Sequence, residues 1–319
     1  MPMLDYSLVA AVAAVVREGS FERAAESLHI TASAVSQRVK LIEERLGRPL
    51  VVRGQPCRAT AAGEALCRHA ERLALMEHEL AAAVPGLQAL QGESAEADVA
   101  PPTLPLAVNA DSLATWFLAP VAGLAQARGW LFDLRLEDQD HTAEQLARGE
   151  VLAAVTALAT PLRGCRSLPL GALRYRATAS PAFVARHFAG GVNARSLAGA
   201  PCLVFNRQDR LQDRWIARQL GHDELSPPRH WLPSTQGFVE AARAGLGWGL
   251  NPEPLVHEAL ARGELCELVP GAVLDVPLHW QLLRAAEALL QPLTQAVCGA
   301  AAAALQPITA VSTGKDPTA

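Results

Sequence analysis

Apolar positions in the first sixty residues recur at helical spacing and predict three short helices. Leu8, Val12, Val15 and Val16 form one inward stripe, in a helix from about Asp5 to Arg17 that Gly19 ends. Ala24, Ala25 and Leu28 give the next helix a small-residue face that permits close packing. Val35, Val39, Ile42 and Leu46 form the stripe of a third, which starts near Ala32 behind Thr31 as N-cap. The other side of that third helix carries Ser33, Ser36, Gln37 and Lys40, which are hydrogen-bond donors and a cation with almost no acid. Two helices around a tight turn, the second with such a face, predict a helix-turn-helix. Small hydroxyl and amide side chains reach base edges and phosphates without filling the space that the helix backbone needs in a DNA groove. A pair of ordinary bundle helices is the competing reading, and it expects a Glu and Lys mixture that this face lacks.

Further on, Thr60 can cap a long helix that runs to about Val84. Leu66, Leu73 and Leu80 fall seven residues apart, with Ala62, Met76 and Ala83 at the partner positions and His69 interrupting that second row. So narrow a stripe predicts a two-helix seam through Leu66, Leu73, Met76 and Leu80, the alternative being a helix packed on its own domain. Pro85 and Gly86 close the helix, and the polar, acidic stretch from Gln91 to Thr103 reads as a hinge.

The remainder alternates short apolar strands with helical stretches. Leu104 to Val108, Leu131 to Leu136 and Leu152 to Thr156 predict strands, separated by helices near Leu113 to Arg128 and Thr142 to Arg148. Later strand candidates are Cys202 to Phe205, Trp248 to Asn251 and Pro277 to Leu283. This order predicts an α/β sheet with ligands at the carboxyl ends of its strands. Asn109, Asp111 and Ser112 follow the first strand, Glu137 and Asp138 follow the second, and Thr156 ends the third, so a cleft there would be acidic. Such a site suits a cationic side chain and an ammonium group. Ser234 and Thr235 precede a helix to about Ala244, whose free amides suit a carboxylate, and Asp209 lies in a loop able to close over the ligand. Each residue also has a structural reading. Asp111, Ser234 and Thr235 are possible helix caps, Glu137 and Asp138 possible surface acids, and Trp116 and Trp248 core residues rather than a ligand platform.

Composition adds bounds. A chain of 319 residues suggests two or three domains. Net charge is -4, yet residues 1–60 hold eight Arg or Lys against six Asp or Glu, which allows DNA binding through a few placed contacts. The six cysteines are scattered without a C-x-x-C pair, and no segment reads as a signal peptide or a membrane span, so a reduced, cytoplasmic setting is expected. The nine histidines lack ligand spacing, and no cofactor or metal is expected. Nucleophile-elbow, phosphate-loop and H-E-x-x-H motifs are missing too, which argues against an enzyme.

The string SFERAAESLHITASAVSQRVKLIEERLGRPLVVR resembles the DNA-binding domain of LysR-type transcriptional regulators. The strings LAVNADSLATWFLAP, RLEDQDHT, RGEVLAAVT, GLGWGLNPE and PLHWQ resemble the ArgP/LysG group within it, whose members regulate the export of basic amino acids. This resemblance implies an α+β multidomain chain. A winged helix-turn-helix over 1–60 is followed by a linker and dimerisation helix over 61–90 and a hinge over 91–103. A two-lobed, periplasmic-binding-protein-like effector domain then spans 104–307, and 308–319 form a disordered tail. Lobe I would take about 105–174 and 276–307, and lobe II about 175–275. By the same resemblance Leu50 to Arg58 is the wing, with Gly54 and Pro56 at its tip. Arg53 and Arg58 would reach DNA backbone or minor groove, Arg38 phosphate, and Ser33, Ser36, Gln37 and Lys40 the major groove. The implied partners are an operator duplex, L-lysine or L-arginine, further copies of the chain as a dimer or tetramer, and RNA polymerase. A thiol-based sensor and a ligand-independent architectural or replication-inhibiting DNA-binding protein are the alternatives.

Overall fold

The computed structural model describes residues 4–84, 103–136, 139–221 and 225–308. The expected tail beyond Ile308 and the hinge up to 102 lie outside these residues. The chain divides into two compact units at Leu104 and Pro105, apart from Gly129–Leu131, which group with the first.

The first unit opens with α1 (Tyr6–Glu18), α2 (Phe21–Ser27) and α3 (Ala32–Leu46), each begun by a side-chain cap. Asp5 accepts from the Ser7 amide at 3.0 Å, Ser20 from Arg23 at 3.1 Å and Thr31 from Ala34 at 3.1 Å. Gly19 and Gly47 end α1 and α3 in the left-handed region, at φ 68° and 66°. Leu8, Val12, Val15, Ala24, Ala25, Val35, Val39 and Ile42 make the shared core. Leu46 departs from the expected stripe. It is 45% exposed, because the helix stops there and the chain turns away at Gly47. The wing is a two-residue ladder, β1 (Val51–Val52) against β2 (Arg58–Ala59). Glu43 of α3 accepts both the Leu50 and Val51 amides, at 2.7 and 3.1 Å, and so ties the wing to the third helix. Thr60 then caps α4 (Ala61–Ala83).

The second unit is built on one sheet shared by two lobes. Lobe I carries β3 (Thr103–Val108), β4 (Leu131–Leu136) and β5 (Ala153–Thr156), with α5 (Ala110–Thr115), α6 (Leu118–Arg128) and α7 (Gln139–Arg148) in the connections. The single helix expected over Leu113 to Arg128 is two. Pro120 has no amide to donate into a continuous helix, and it is tolerated in the first turn of α6, where that amide would go unused. A long strand, β6 (Cys165–Ala179), then leads into lobe II. This lobe holds α8 (Pro181–His187), α9 (Ala194–Gly199), β7 (Cys202–Val204), α10 (Leu211–Leu220), β8 (Arg229–Trp231), α11 (Thr235–Arg243), β9 (Gly249–Pro252), α12 (Glu253–Ala261) and β10 (Cys266–Glu267). The chain returns along β11 (Val273–Leu283) and ends on α13 (Gln291–Ala304).

The main sheet runs β10-β6-β11-β5-β3-β4, with β9 also on β6, while β7 and β8 pair in parallel beside it. The register between β6 and β11 shifts at Leu278 and His279, where β6 holds one residue more than its partner. Gly171 sits at this bulge with φ 135°, and a Cβ there would meet Leu305 at 2.7 Å. The close approach exists because the segment after α13 folds back. Ala172 and Gln306 exchange amide hydrogen bonds of 2.8 and 2.9 Å.

A second glycine is fixed by crowding alone. A Cβ on Gly63, in the first turn of α4, would lie 2.0 Å from the Leu50 carbonyl oxygen. Gly63→Ala is expected to destabilise the first unit by about 3 kcal/mol, the upper range for forcing a methyl into a packed site. Gly123→Ala, with nothing within 4 Å of its Cβ, serves as control and should leave Tm level or slightly raised. Thermal unfolding of the two variants checks this, and equal losses would contradict it.

Candidate functional sites: a polar helix face and an interlobe cleft

The face of α3 that sequence assigned to DNA stands clear of the core. Thr31 is occupied as N-cap, Ser33, Gln37 and Lys40 are exposed, and Ser36 and Arg38 are half-buried. Lys40 makes only an exposed pair with Glu44 at 3.6 Å, which water screens and a phosphate can replace. In the wing Arg53 and Arg58 are exposed, and the Arg53 guanidinium lies 5.1 Å from the centre of the Phe21 ring. That contact sets the direction of one wing cation from the start of α2.

Along α4 the expected seam divides. Leu66 packs against the core of the first unit and Leu73 is half-buried, whereas Met76 is 62% and Leu80 51% exposed. The first half of this helix follows the reading in which it packs on its own domain. Its start belongs to the domain, and in its later turns Met76 and Leu80 are exposed among the described residues.

The second site is a cleft of about 370 Å³ whose walls come from both lobes and from the crossover strands. Asn109, Asp111, Asp209 and Thr235 line it. Asn109 is the N-cap of α5 and accepts from the Ser112 amide at 3.2 Å, so the capping role is not that of Asp111. Asp111 instead points across the cleft. Its carboxylate accepts from the Tyr175 hydroxyl of β6 at 2.6 Å and from the Thr235 hydroxyl of α11 at 2.8 Å. Burial raises its pKa against the lowering effect of those two hydrogen bonds, and the charge of Asp209 raises it further. Burial and the adjoining Asp111 carboxylate also push the Tyr175 phenol well above its ordinary value.

Asp209 is held by its own loop, accepting the Phe205 and Leu211 amides at 2.9 Å each. Ser234, Ser112 and Thr156 are not cleft-lining. Ser234 caps α11 through the Gly237 amide at 3.1 Å, Ser112 is fully buried, and Thr156 accepts from the Leu158 amide at 3.2 Å. Glu137 and Asp138 lie outside the described residues. Trp116 and Trp248 are buried core, as the structural reading had it.

Several lining residues were missed. Tyr175 sits on a strand that Pro169 and Gly171 break up in the sequence. Asn251, in the quoted GLGWGLNPE string, follows the same strand-end rule that found Asn109. Its Nδ2 donates to Thr178 at 3.0 Å, and its buried Oδ1 has no protein partner. Arg210 and Arg214 bring positive charge, and the Arg214 guanidinium, whose charge acts on the Tyr175 phenol, makes no side-chain hydrogen bond or ion pair among the described residues. No pattern separates Arg214 from the other arginines of the chain. The cleft therefore offers both signs of charge within one small volume.

Among the described residues no group of three His, Cys, Asp or Glu is placed to hold a metal ion. The six cysteines are free, and burial pushes Cys67 up to about 11 and Cys202 up to about 12, which suppresses their reactive thiolates. No helix among the described residues is long and apolar enough to cross a membrane.

A helix-turn-helix ahead of a two-lobed cleft is the architecture of a ligand-responsive bacterial regulator, and comparison with known proteins agrees. Residues 7–64 match the bacterial regulatory helix-turn-helix proteins of the lysR family, and residues 101–306 match the LysR substrate binding domain. The chain belongs to the LysR family of transcriptional regulators, which are not enzymes. It is 47% identical over 295 residues to the transcriptional regulator ArgP of Pseudomonas aeruginosa, covering 92% of this chain and 95% of that one. The crystal structure of ArgP from Mycobacterium tuberculosis superposes with a TM-score of 0.73 at 43% identity, over 96% of this chain and all of that one. Full-length LysG from Corynebacterium glutamicum with bound effector arginine gives a TM-score of 0.64 at 38% identity, over 95% and 100%.

The buried acid makes a pH prediction. Because its folded pKa is raised, Asp111 keeps its proton to higher pH in the folded protein than in the unfolded chain. Its contribution to stability falls as pH rises from the ordinary carboxylate range through the raised folded value. The Tm of Asp111→Asn minus that of the parent should grow more positive from pH 4 to pH 7, measured by scanning calorimetry. A difference that shrinks over this range would instead make ionised Asp111 a stabilising partner.

Proposed function

We propose that this chain is a cytoplasmic transcriptional regulator that binds L-arginine, L-lysine or both in the interlobe cleft and controls a basic amino acid exporter gene. The observation that carries the reading is the Asp111 carboxylate, half-buried where lobe I, the crossover and lobe II meet, in a cleft that Arg214 also lines. An amino acid with a cationic side chain has two positive groups and one negative. Asp111 and Asp209 supply anions for the former, Asn251 Oδ1 adds a neutral acceptor, and Arg214 is suited to the α-carboxylate. The cleft volume is at the smaller end of ligand pockets, which fits an amino acid rather than a larger metabolite. The 38% identical LysG structure with bound arginine supports the same ligand class.

In this reading the α3 face and wing bind operator DNA, and the apolar turns around Met76 and Leu80 pair two copies of the chain. A tetramer made from two such pairs spans an interrupted dyad. Ligand draws the lobes together by binding groups on both, the pairs rotate on the DNA, and its bend changes to admit RNA polymerase. The coupling needed is of the order of 1–3 kcal/mol.

Thermal shift and calorimetric titration of the full chain test the effector. L-Arginine or L-lysine should raise Tm at millimolar concentration, and L-leucine should not. Asp111→Asn should weaken binding about tenfold or more, as expected for a lost hydrogen bond to a charged group. No shift with either basic amino acid would favour the ligand-independent reading, and an undiminished affinity in Asp111→Asn would remove that residue from the site. For the output end, Gln37→Ala should weaken operator binding about tenfold while sparing amino acid binding. Band-shift and calorimetric assays separate the two effects, and loss of both indicates misfolding.

A further inference from the structure

A second pocket, of about 640 Å³, shares Arg210 and Arg214 with the cleft, and its lining is dominated by arginine. Arg214 and Arg218, one turn apart, share one face of α10, Arg210 is the residue just before the helix, and Arg229 of β8 lines the same pocket. The one acid of this group, Asp213, is already engaged. It takes Arg229 at 2.6 Å and Arg210 at 3.3 Å. Arg218 donates to the Val273 carbonyl at 3.3 Å, and the Arg214 guanidinium makes no hydrogen bond or ion pair among the described residues. Among the described lining residues four guanidinium groups surround one carboxylate, an excess of positive charge in a concave site with Leu274 as an apolar wall. Like charges at i and i+4 on a helix repel, so the cluster is stabilised by any anion that bridges them. Guanidinium forks match phosphate oxygens in pairs, and several together select for more than one negative charge.

We propose that this pocket binds a small phosphate-bearing polyanion, and that this ligand and the amino acid oppose one another, because Arg210 and Arg214 line both the pocket and the cleft. An anion in the pocket turns Arg214 outward and removes the cation offered to the α-carboxylate. By linkage, amino acid in the cleft lowers affinity for the anion by the same factor. The regulator thereby reads two signals, a basic amino acid and a phosphorylated metabolite, through one shared pair of side chains. A concave pocket favours a compact ligand over a duplex backbone, which calls for an open ridge.

The antagonism rests on the effector reading above, whereas the anion site does not. The experiment is therefore run in two arms on the full-length protein. In the first, calorimetric titration with pyrophosphate in chloride buffer of matched ionic strength should show one site per chain. Arg218→Gln, which lies outside the cleft, should weaken that binding about tenfold, the loss of a charge-assisted contact. In the second, saturating pyrophosphate should raise the apparent Kd for L-arginine about fivefold or more, the lower range of allosteric coupling. Arg218→Gln should abolish that increase and leave the Kd in chloride unchanged. Pyrophosphate binding no tighter than that of chloride, or unaffected by Arg218→Gln, overturns the site. Displacement of pyrophosphate by random-sequence duplex DNA, dependent on Arg218, would assign the surface to nucleic acid and also overturn it. Site-specific pyrophosphate binding that leaves the L-arginine Kd unaltered overturns the antagonism alone, and failure of L-arginine to bind at all counts against the effector reading while the first arm stands.

Discussion

Two strands, β6 and β11, must each serve two lobes, and the rest of the effector unit is arranged around that constraint. They pair along their whole shared length, so the lobes are continuous through a single hydrogen-bonded ladder rather than joined by a slack linker. The ladder is interrupted only at the bulge by Gly171, which the segment beyond α13 clamps through Ala172 and Gln306. Ion pairs reinforce the lobe II half. Arg174 binds Asp275 in bidentate fashion across the two strands, and Arg176 joins Glu253 and Glu267 from neighbouring elements. The lobe II side of the bulge holds the strand positions that supply Tyr175 and Val276 to the cleft.

The cleft stores an electrostatic cost at that junction. A carboxylate removed from water is unfavourable unless its oxygens are satisfied, and Asp111 receives only two hydroxyl donors, with no cation. The raised pKa of Asp111 expresses the shortfall. A bound cation removes it, and since Tyr175 and Thr235 come from the crossover and from lobe II, the same event acts on three elements at once. Arg214, an exposed guanidinium on the cleft wall, is the complementary charge.

The DNA-binding unit follows a different economy. Its overall charge is close to balanced, so recognition depends on where a few donors stand, and these are fixed by caps and by Glu43, which ties the wing to α3. On α4 the packed Leu66 assigns the first turns to the core of this unit, while Met76 and Leu80 further along are exposed.

What sequence by itself determined was local. Helical periodicity located α1 to α4, cap residues fixed their starts, and short apolar runs with turn signals located most strands, because each of these depends on neighbours within a few residues. The polar face of α3 and the acids after β3 were legible for the same reason. Only tertiary structure decided that Asp111 reaches across to Tyr175 and Thr235 while Asn109 does the capping, that Ser112, Thr156 and Ser234 turn away from the cleft, and that Asn251 and Arg214 belong to it. Partners separated by 64 and 124 residues meet because β6 and β11 bring the lobes together, and no local pattern encodes that meeting. The crossover strand β6 itself was hidden by the residues, Pro169 and Gly171, that let it bend.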